Sequence, residues 1–235
     1  MSQTTEGPAD LRVIGIEGVP EVHPGDDLGA LLVEAAGSTA FQDDDIVVVA
    51  QKVVSKSEGR VVAGIDRQTA ARAESVRVLR RRGDLIISET RHGFVCANAG
   101  VDASNVAEDG VVLLPLDPDG SARRLRARIE RLTGSTVAVI VSDTFGRAWR
   151  AGQTNVAIGV AGINPFVDYR GTTDSQGREL TATLICSADE LAGAAELVMR
   201  KTTGICAAVV RGARVTFGRG SARAIVRPPA EDMFR

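Results

Sequence analysis

The segment Val137–Gly162, VAVIVSDTFGRAWRAGQTNVAIGVAG, restricts the fold of this chain more than any other. Val137–Val141 is β-branched apart from one alanine, which predicts a buried strand. That strand runs into Ser142, Asp143 and Thr144, three oxygen-bearing side chains at the point where it is expected to end. Gly146 loosens the backbone behind them, and Arg147 and Arg150 bracket Trp149, the single tryptophan. A second apolar strand is expected at Val156–Val160. Acidic and hydroxyl oxygens at a strand end, with arginines just beyond, suit a divalent cation that holds phosphate. The same residue types also cap turns and short helices, which is their commoner use.

A chain of 235 residues is long enough to bury a sizeable core, and no repeat, low-complexity tract or linker divides it. Residues 1–10 are expected to be a flexible N-terminus and 11–235 a single unit. The net charge of −2 supplies no basic field for nucleic acid. No apolar run approaches the roughly 20 residues that span a bilayer, and the polar start MSQTTEGPAD is unlike a signal peptide. A cytoplasmic protein without membrane or nucleic-acid partners is expected. Cys96, Cys186 and Cys206 lie singly in apolar stretches, as buried thiols do, and their odd number and wide spacing oppose a disulfide framework or zinc site. Histidine occurs only at His23, expected in a solvated loop, and at His92, expected to pack or bond at a strand start. Of three lysines, two fall within Gln51–Lys56.

Taken in order, Leu11–Ile16 reads as a strand stopped by the fixed turn of Gly18-Val19-Pro20-Glu21-Val22. Asp26 or Asp27 starts a helix with Leu28, Leu31, Leu32 and Ala35 on its apolar side, closed by Gly37. Asp45–Ala50 is a buried strand that delivers Gln51–Lys56. A helix is expected over about Arg67–Arg82, then a hairpin of Asp84–Glu89 and Gly93–Ala97. The latter leads into Asn98–Asn105, a loop of small residues with one acid, Asp102. Val111–Pro115 is a strand, and Asp117–Ser121 opens a helix carrying Leu125, Ile129 and Leu132 to Gly134. Strands follow at Phe166–Tyr169 and Leu180–Cys186. A capping box of Ser187 and Glu190 starts a helix through Leu191, Ala195, Val198 and Met199. Cys206–Val210 is a strand, and Ser221–Val226 another candidate. Strands paired without intervening helices predict an α+β fold with an irregular mixed sheet.

The common phosphate loops are absent: Lys52, Lys56 and Lys201 all lack the preceding glycine pattern of a P-loop, and Gly218-Arg219-Gly220 lacks the third glycine of a dinucleotide fingerprint. What remains is four segments, each at a predicted strand end: Gly18–Val22, Gln51–Gly59, Gly100–Asn105 and Ser142–Arg150. Asp102 and Asp143, with the neutral oxygen of Thr144, are suited to one or two hard cations, and Lys56 with an arginine to phosphate oxygens. Gln51 and Asn105 both donate and accept, which suits a base edge or ribose. Each has a simpler use: Asp102 as a turn former, Lys56 as a surface charge, Pro20 as a rigid turn, Asn105 as a left-handed loop residue.

The segments GVPEV, VVSKSEGR, FVCANAGVDASNV, LPLDPDGSA and SDTFGRAWRAGQTNVAIG together resemble the coenzyme F420-0:L-glutamate ligase family, in the expected order over about Leu11–Val226. The resemblance implies a ligase that uses GTP to add L-glutamate to F420-0, with Mg²⁺ or Mn²⁺ and an assisting monovalent cation such as K⁺. It implies divalent-metal ligation by Asp102, Asp143 and Thr144. It also implies guanine-nucleotide contacts from Val19, Pro20, Glu21, Val22, Gln51, Lys56 and Asn105, with Asp102, Asp143 and Lys56 serving catalysis. It implies two intimately associated subdomains that intertwine with a second copy as a homodimer. The Arg200–Gly204 loop borders the nucleotide in some relatives and here carries Lys201, Thr202 and Thr203. The flavin-binding nitroreductase-like extension of some actinobacterial relatives is not expected after Arg235. A metal-dependent nucleotide hydrolase and a non-catalytic deazaflavin- or nucleotide-binding module are the alternatives. The first would release phosphate without glutamate or F420-0, and the second would bind without product.

Overall fold

The computed structural model describes residues 10–37, 41–103 and 110–233. Strand β1 (Arg12–Gly15) leads to α1 (Leu28–Ala36), β2 (Ile46–Ala50) and, with no loop between, α2 (Gln51–Ser57). Next come β3 (Val61–Ala63), α3 (Arg67–Glu74), β4 (Ser75–Arg82), β5 (Leu85–Thr90), β6 (Val95–Ala97) and β7 (Gly110–Val112). Helix α4 (Pro118–Thr133) precedes the long hairpin of β8 (Ala138–Arg147) and β9 (Arg150–Ala161). The short pair β10 (Val167–Asp168) and β11 (Leu184–Ile185), α5 (Ser187–Met199) and β12 (Ala207–Arg211) follow.

Five strands form a mixed sheet in the order β1-β12-β2-β8-β9, in which only β2 and β8 are parallel. The sheets β4-β5-β6, β3-β7 and β10-β11 are antiparallel. The fold is α+β with a mixed sheet, as the helix-free strand pairs predict. Among the described residues no helix is long and apolar enough to cross a membrane.

Successive strand residues face opposite sides, so strands covered on both sides must be apolar throughout. Val47, Val49, Val139 and Val141 pack on Leu28 and Leu32 of α1 and Leu125 and Ile129 of α4. Ile46, Val48, Ala138 and Ile140 pack on Ala188, Leu191, Ala192 and Ala195 of α5. Each buried valine or isoleucine contributes about 1.5–3 kcal/mol. This two-sided burial is why DIVVVA and VAVIV are unbroken apolar runs. Asp27 caps α1 and Asp117 caps α4, whose first residue is Pro118; Gly134 ends α4 in the left-handed conformation.

The register of β8 on β9 slips twice, at the hairpin tip between Gly146 and Arg147 and again deeper in the sheet, where Val141 opposes Gly159 but Ser142 opposes Ala157, leaving Ile158 as the extra residue of a bulge. Gly159 is dictated by sterics, since a Cβ there would lie 2.3 Å from the Pro118 carbonyl oxygen. As the edge strand, β9 has unpaired amides, and carboxylates from the first turns of α5 and α4 satisfy two of them. Ala157 N–H donates to Asp189 Oδ1 and Val160 N–H to Asp119 Oδ1, both at 2.8 Å.

Several expectations are corrected. The strand after Val137 does not end at Ser142 but continues to Arg147, with Gly146 inside the ladder opposite Gln153, because β9 supplies backbone partners along its whole length. The helix expected over Arg67–Arg82 stops at Glu74. The turn at Gly83 returns the chain along Ser75–Arg82, and the ladder with β5 outweighs helix propensity. The capping box does not form: Cys186 is the N-cap, and Ser187, already helical, donates its hydroxyl to Pro165 O at 3.1 Å. Ser221–Val226 is not a strand, since Ser221 and Ala222 both bond the Asp119 carboxylate and draw the chain into a 3₁₀ turn at Ala222–Ala224. Leu180–Cys186 and Phe166–Tyr169 pair only at Leu184–Ile185 and Val167–Asp168.

Gly159→Ala is expected to lower unfolding stability in urea by about 2 kcal/mol, as forced overpacking does. Gly146→Ala, where nothing lies within 4 Å of the added carbon, is expected to stay within about 0.5 kcal/mol.

Candidate functional site

Strand β2 stops at Ala50, opposite Ser142, and the chain turns directly into α2. Gln51 is buried, and its amide nitrogen donates to Ser55 Oγ at 2.6 Å and Leu113 O at 3.1 Å, tying the first turn of α2 to the chain beyond β7. Lys52 and Lys56 stand one helical turn apart on the same face. Lys52 Nζ lies 2.8 Å from Asp102 Oδ2, and Lys56 Nζ lies 2.5 Å from Glu21 Oε1. Helix α2 thus links the Gly18–Val22 loop to Asp102. In that loop Val22 is buried in the core with Val19 packed on it, while Pro20 and Glu21 are exposed.

The backbone leading to Asp102 is held in an unusual form. Asn98 (φ 50°), Ala99 (φ 51°) and Gly100 (φ 73°) are all left-handed, a conformation that costs a non-glycine residue about 1–2 kcal/mol. It persists because Asn98 Oδ1 accepts from the Ile86 amide at 3.2 Å and Ala99 is buried. Asp102 then pairs with Val112 in both directions, N–H to O at 3.0 Å and back at 2.7 Å. Asn105, expected to contact a nucleotide, lies outside the described residues.

Asp143 sits just beyond the bulge, where β8 has outrun β2. Its Oδ1 accepts from the Thr144 amide at 2.8 Å. Burial pushes its carboxyl up to about 6, the like charge of Asp102 adds to that, and Thr144 N–H, Lys201 and Lys52 oppose it. Burial, helped by the Asp143 charge, pushes the Cys96 thiol up to about 12, so it is no nucleophile near neutral pH. Thr144 Oγ1 donates to Asn155 Oδ1 at 2.7 Å and accepts from Lys201 Nζ at 2.5 Å. Asn155 Nδ2 donates in turn to Glu196 Oε2 at 3.0 Å.

Asp102, Asp143 and Thr144 are therefore brought into one electrostatic neighbourhood, with Lys56 and Glu21 one turn of α2 away. Arg147 and Arg150 are not brought there. They lie at the exposed hairpin tip beside Trp149, Arg147 about 13 Å along the strand from Asp143. Sequence reasoning gave no role to Lys52, Asn155 and Glu196, and noted Lys201 only as part of a loop that borders the nucleotide in some relatives. Lysine scarcity was the available signal, since all three lysines of the chain contact this region. Among the described residues, no three His, Cys, Asp or Glu side chains converge as a metal cluster. Two carboxylates and a hydroxyl make a hard-oxygen set of the kind that suits Mg²⁺ or Mn²⁺. A part-buried carboxylate whose charge burial disfavours, and ammonium groups drawn to Asp102 and Thr144, fit a cation at this place.

A family described as F420-0:Gamma-glutamyl ligase matches residues 18–212. A coenzyme F420:L-glutamate ligase of Methanothermobacter thermautotrophicus is 41% identical, covering 96% of this chain and 99% of its own length. Ligases of the same name from Methanocaldococcus jannaschii and Archaeoglobus fulgidus are 40% and 41% identical, with 96% of this chain covered and 97% and 96% of theirs.

A carboxyl raised in the folded state stabilises below its unfolded pKa of 3.8, and that stability is lost as pH rises through about 6. Without divalent cation, Asp143→Asn is expected to be more stable than the wild type at pH 8 by about 3 kcal/mol, two pKa units' worth. The gap should close below pH 4, as read from urea midpoints.

Proposed function

Because the chain belongs to the F420-0:γ-glutamyl ligase family, we propose that it is an amide-forming ligase that joins L-glutamate to coenzyme F420-0 with GTP as phosphoryl donor. A carboxylate is a poor electrophile, so the route begins with transfer of the γ-phosphoryl group to the terminal carboxylate of F420-0, which gives an acyl phosphate and GDP. The α-amine of glutamate attacks the activated carbonyl, phosphate leaves, and the amine gives up a proton. Further cycles extend the tail through γ-linked glutamates.

Phosphoryl transfer needs alignment and positive charge more than covalent help. Asp102, Asp143 and Thr144 would hold the Mg²⁺ or Mn²⁺, which neutralises charge on the phosphate oxygens when bound. Lys52 positions the Asp102 carboxylate, and Lys56 offers its ammonium to the phosphates once Glu21 yields it. Val19–Val22 and Asn105 form the guanine-nucleotide side. Gln51, its amide nitrogen engaged inside the fold, serves as a strut that places α2. The active form is a cytoplasmic homodimer in which two subdomains of each copy intertwine. The single observation that carries this reading is the gathering of Asp102, Asp143, Thr144 and Lys52 where β8 outruns β2.

Mass spectrometry of F420-0 incubated with protein, GTP, glutamate and Mg²⁺ is expected to reveal added glutamyl units, with GDP formed one for one. Asp143→Ala, folded by circular dichroism, should lose at least about 100-fold in rate. Rapid phosphate release without glutamate or F420-0 would instead mark a hydrolase and overturn the ligase reading.

A further inference from the structure

We propose that Lys201 is a tethered cation of this site, whose ammonium holds at Thr144 an oxygen lone pair that a free monovalent cation could otherwise take. The inference rests on the reading of Asp102, Asp143 and Thr144 as the ion site. A threonine hydroxyl has one proton to give and two lone pairs to offer. The proton of Thr144 goes to Asn155 Oδ1 at 2.7 Å. Asn155 cannot reverse this, because its Nδ2 is engaged by the acceptor-only carboxylate of Glu196 at 3.0 Å. A flipped amide would set its carbonyl oxygen against that carboxylate. Thr144 Oγ1 is therefore left as an acceptor, and the Lys201 ammonium donates to it at 2.5 Å.

The backbone is built to deliver this lysine. Helix α5 ends at Met199; its C-cap, Arg200, takes a positive φ of 49° without being glycine, and its amide closes on Glu196 O at 3.0 Å. The Thr203 hydroxyl donates to Met199 O, and Gly204 (φ 75°) completes the reversal. One turn of chain thus carries both Glu196, which orders Asn155 and Thr144, and Lys201, which uses the result. An ammonium matches K⁺ in charge and closely in size, but it is covalently held and needs no filling from solution. With Lys201 in contact, Thr144 already carries a monovalent positive charge beside its acceptor oxygen.

Calorimetric binding of a non-hydrolysable GTP analogue with Mg²⁺ tests this, in potassium chloride and in tetramethylammonium chloride at equal ionic strength. The wild type is expected to bind equally, within twofold, in both salts. Lys201→Gln is expected to bind about 10-fold more weakly in tetramethylammonium and to recover most of that loss in K⁺, with a parallel K⁺-specific rise in melting temperature. The proposal is overturned if the wild type itself requires K⁺, if Lys201→Gln matches it in both salts, or if the variant is equally weak in both. That last result would make Lys201 a simple phosphate contact. Failure of the wild type to bind the analogue in any salt would sink the ion-site reading, and this proposal with it.

Discussion

Two parallel strands of unequal length govern this structure. β2 and β8 are matched residue for residue from Ile46 and Ala138 up to Ala50 and Ser142, where β2 becomes α2 while β8 continues for five more residues. A parallel pair covered on both faces must be apolar along its whole matched length. Polar side chains are admitted only where the match ends. The chain uses that position at once, with Ser142, Asp143 and Thr144 on one strand and Gln51, Lys52 and Lys56 on the helix that replaces the other.

The bulge at Ile158 resets the β8–β9 pairing at this same level. Beyond it, Asp143 lies near Cys96, Asp102 and Lys52, while Thr144 is bonded to Asn155 and, through it, to Glu196 on α5. The two sides of one strand thereby serve different ends, Asp143 facing a second acid across from β6 and Thr144 joined to a hydrogen-bonded chain that ends on α5. Gly159 and the carboxylates of Asp119 and Asp189 hold the bulged edge in place, so the geometry of the site is fixed by packing of α4 and α5 and not by the site residues themselves.

Electrostatics at the site oppose stability. Asp143 carries a charge that burial disfavours, Ala99 holds a left-handed backbone, and both persist because the surrounding core over-determines them. Three lysines stand at the site, two from one face of α2 and one from beyond α5: Lys52 on Asp102, Lys56 on Glu21, Lys201 at Thr144. Such an arrangement, costly for an isolated protein, is suited to receiving an ion and a polyphosphate that neutralise one another.

Local pattern was enough to locate most core elements. The valine-rich runs at Asp45–Ala50 and Val137–Val141, the Asp117 cap and the Gly134 stop each depend on neighbours a few residues away, so the sequence alone determined them, while for α1 it left Asp26 or Asp27 as the start and the structure shows Asp27. Ser75–Arg82 could not be read that way, because an arginine-rich stretch is helical or extended according to whether a partner strand returns beside it. Nor could the reach of β8 past Ser142, which depends on β9, or the links from Thr144 to Asn155, Glu196 and Lys201, whose partners lie 11 to 57 residues apart. Spacing along a chain reports a residue's own helix or strand; only the packed sheet decides which distant side chains share a proton or a charge.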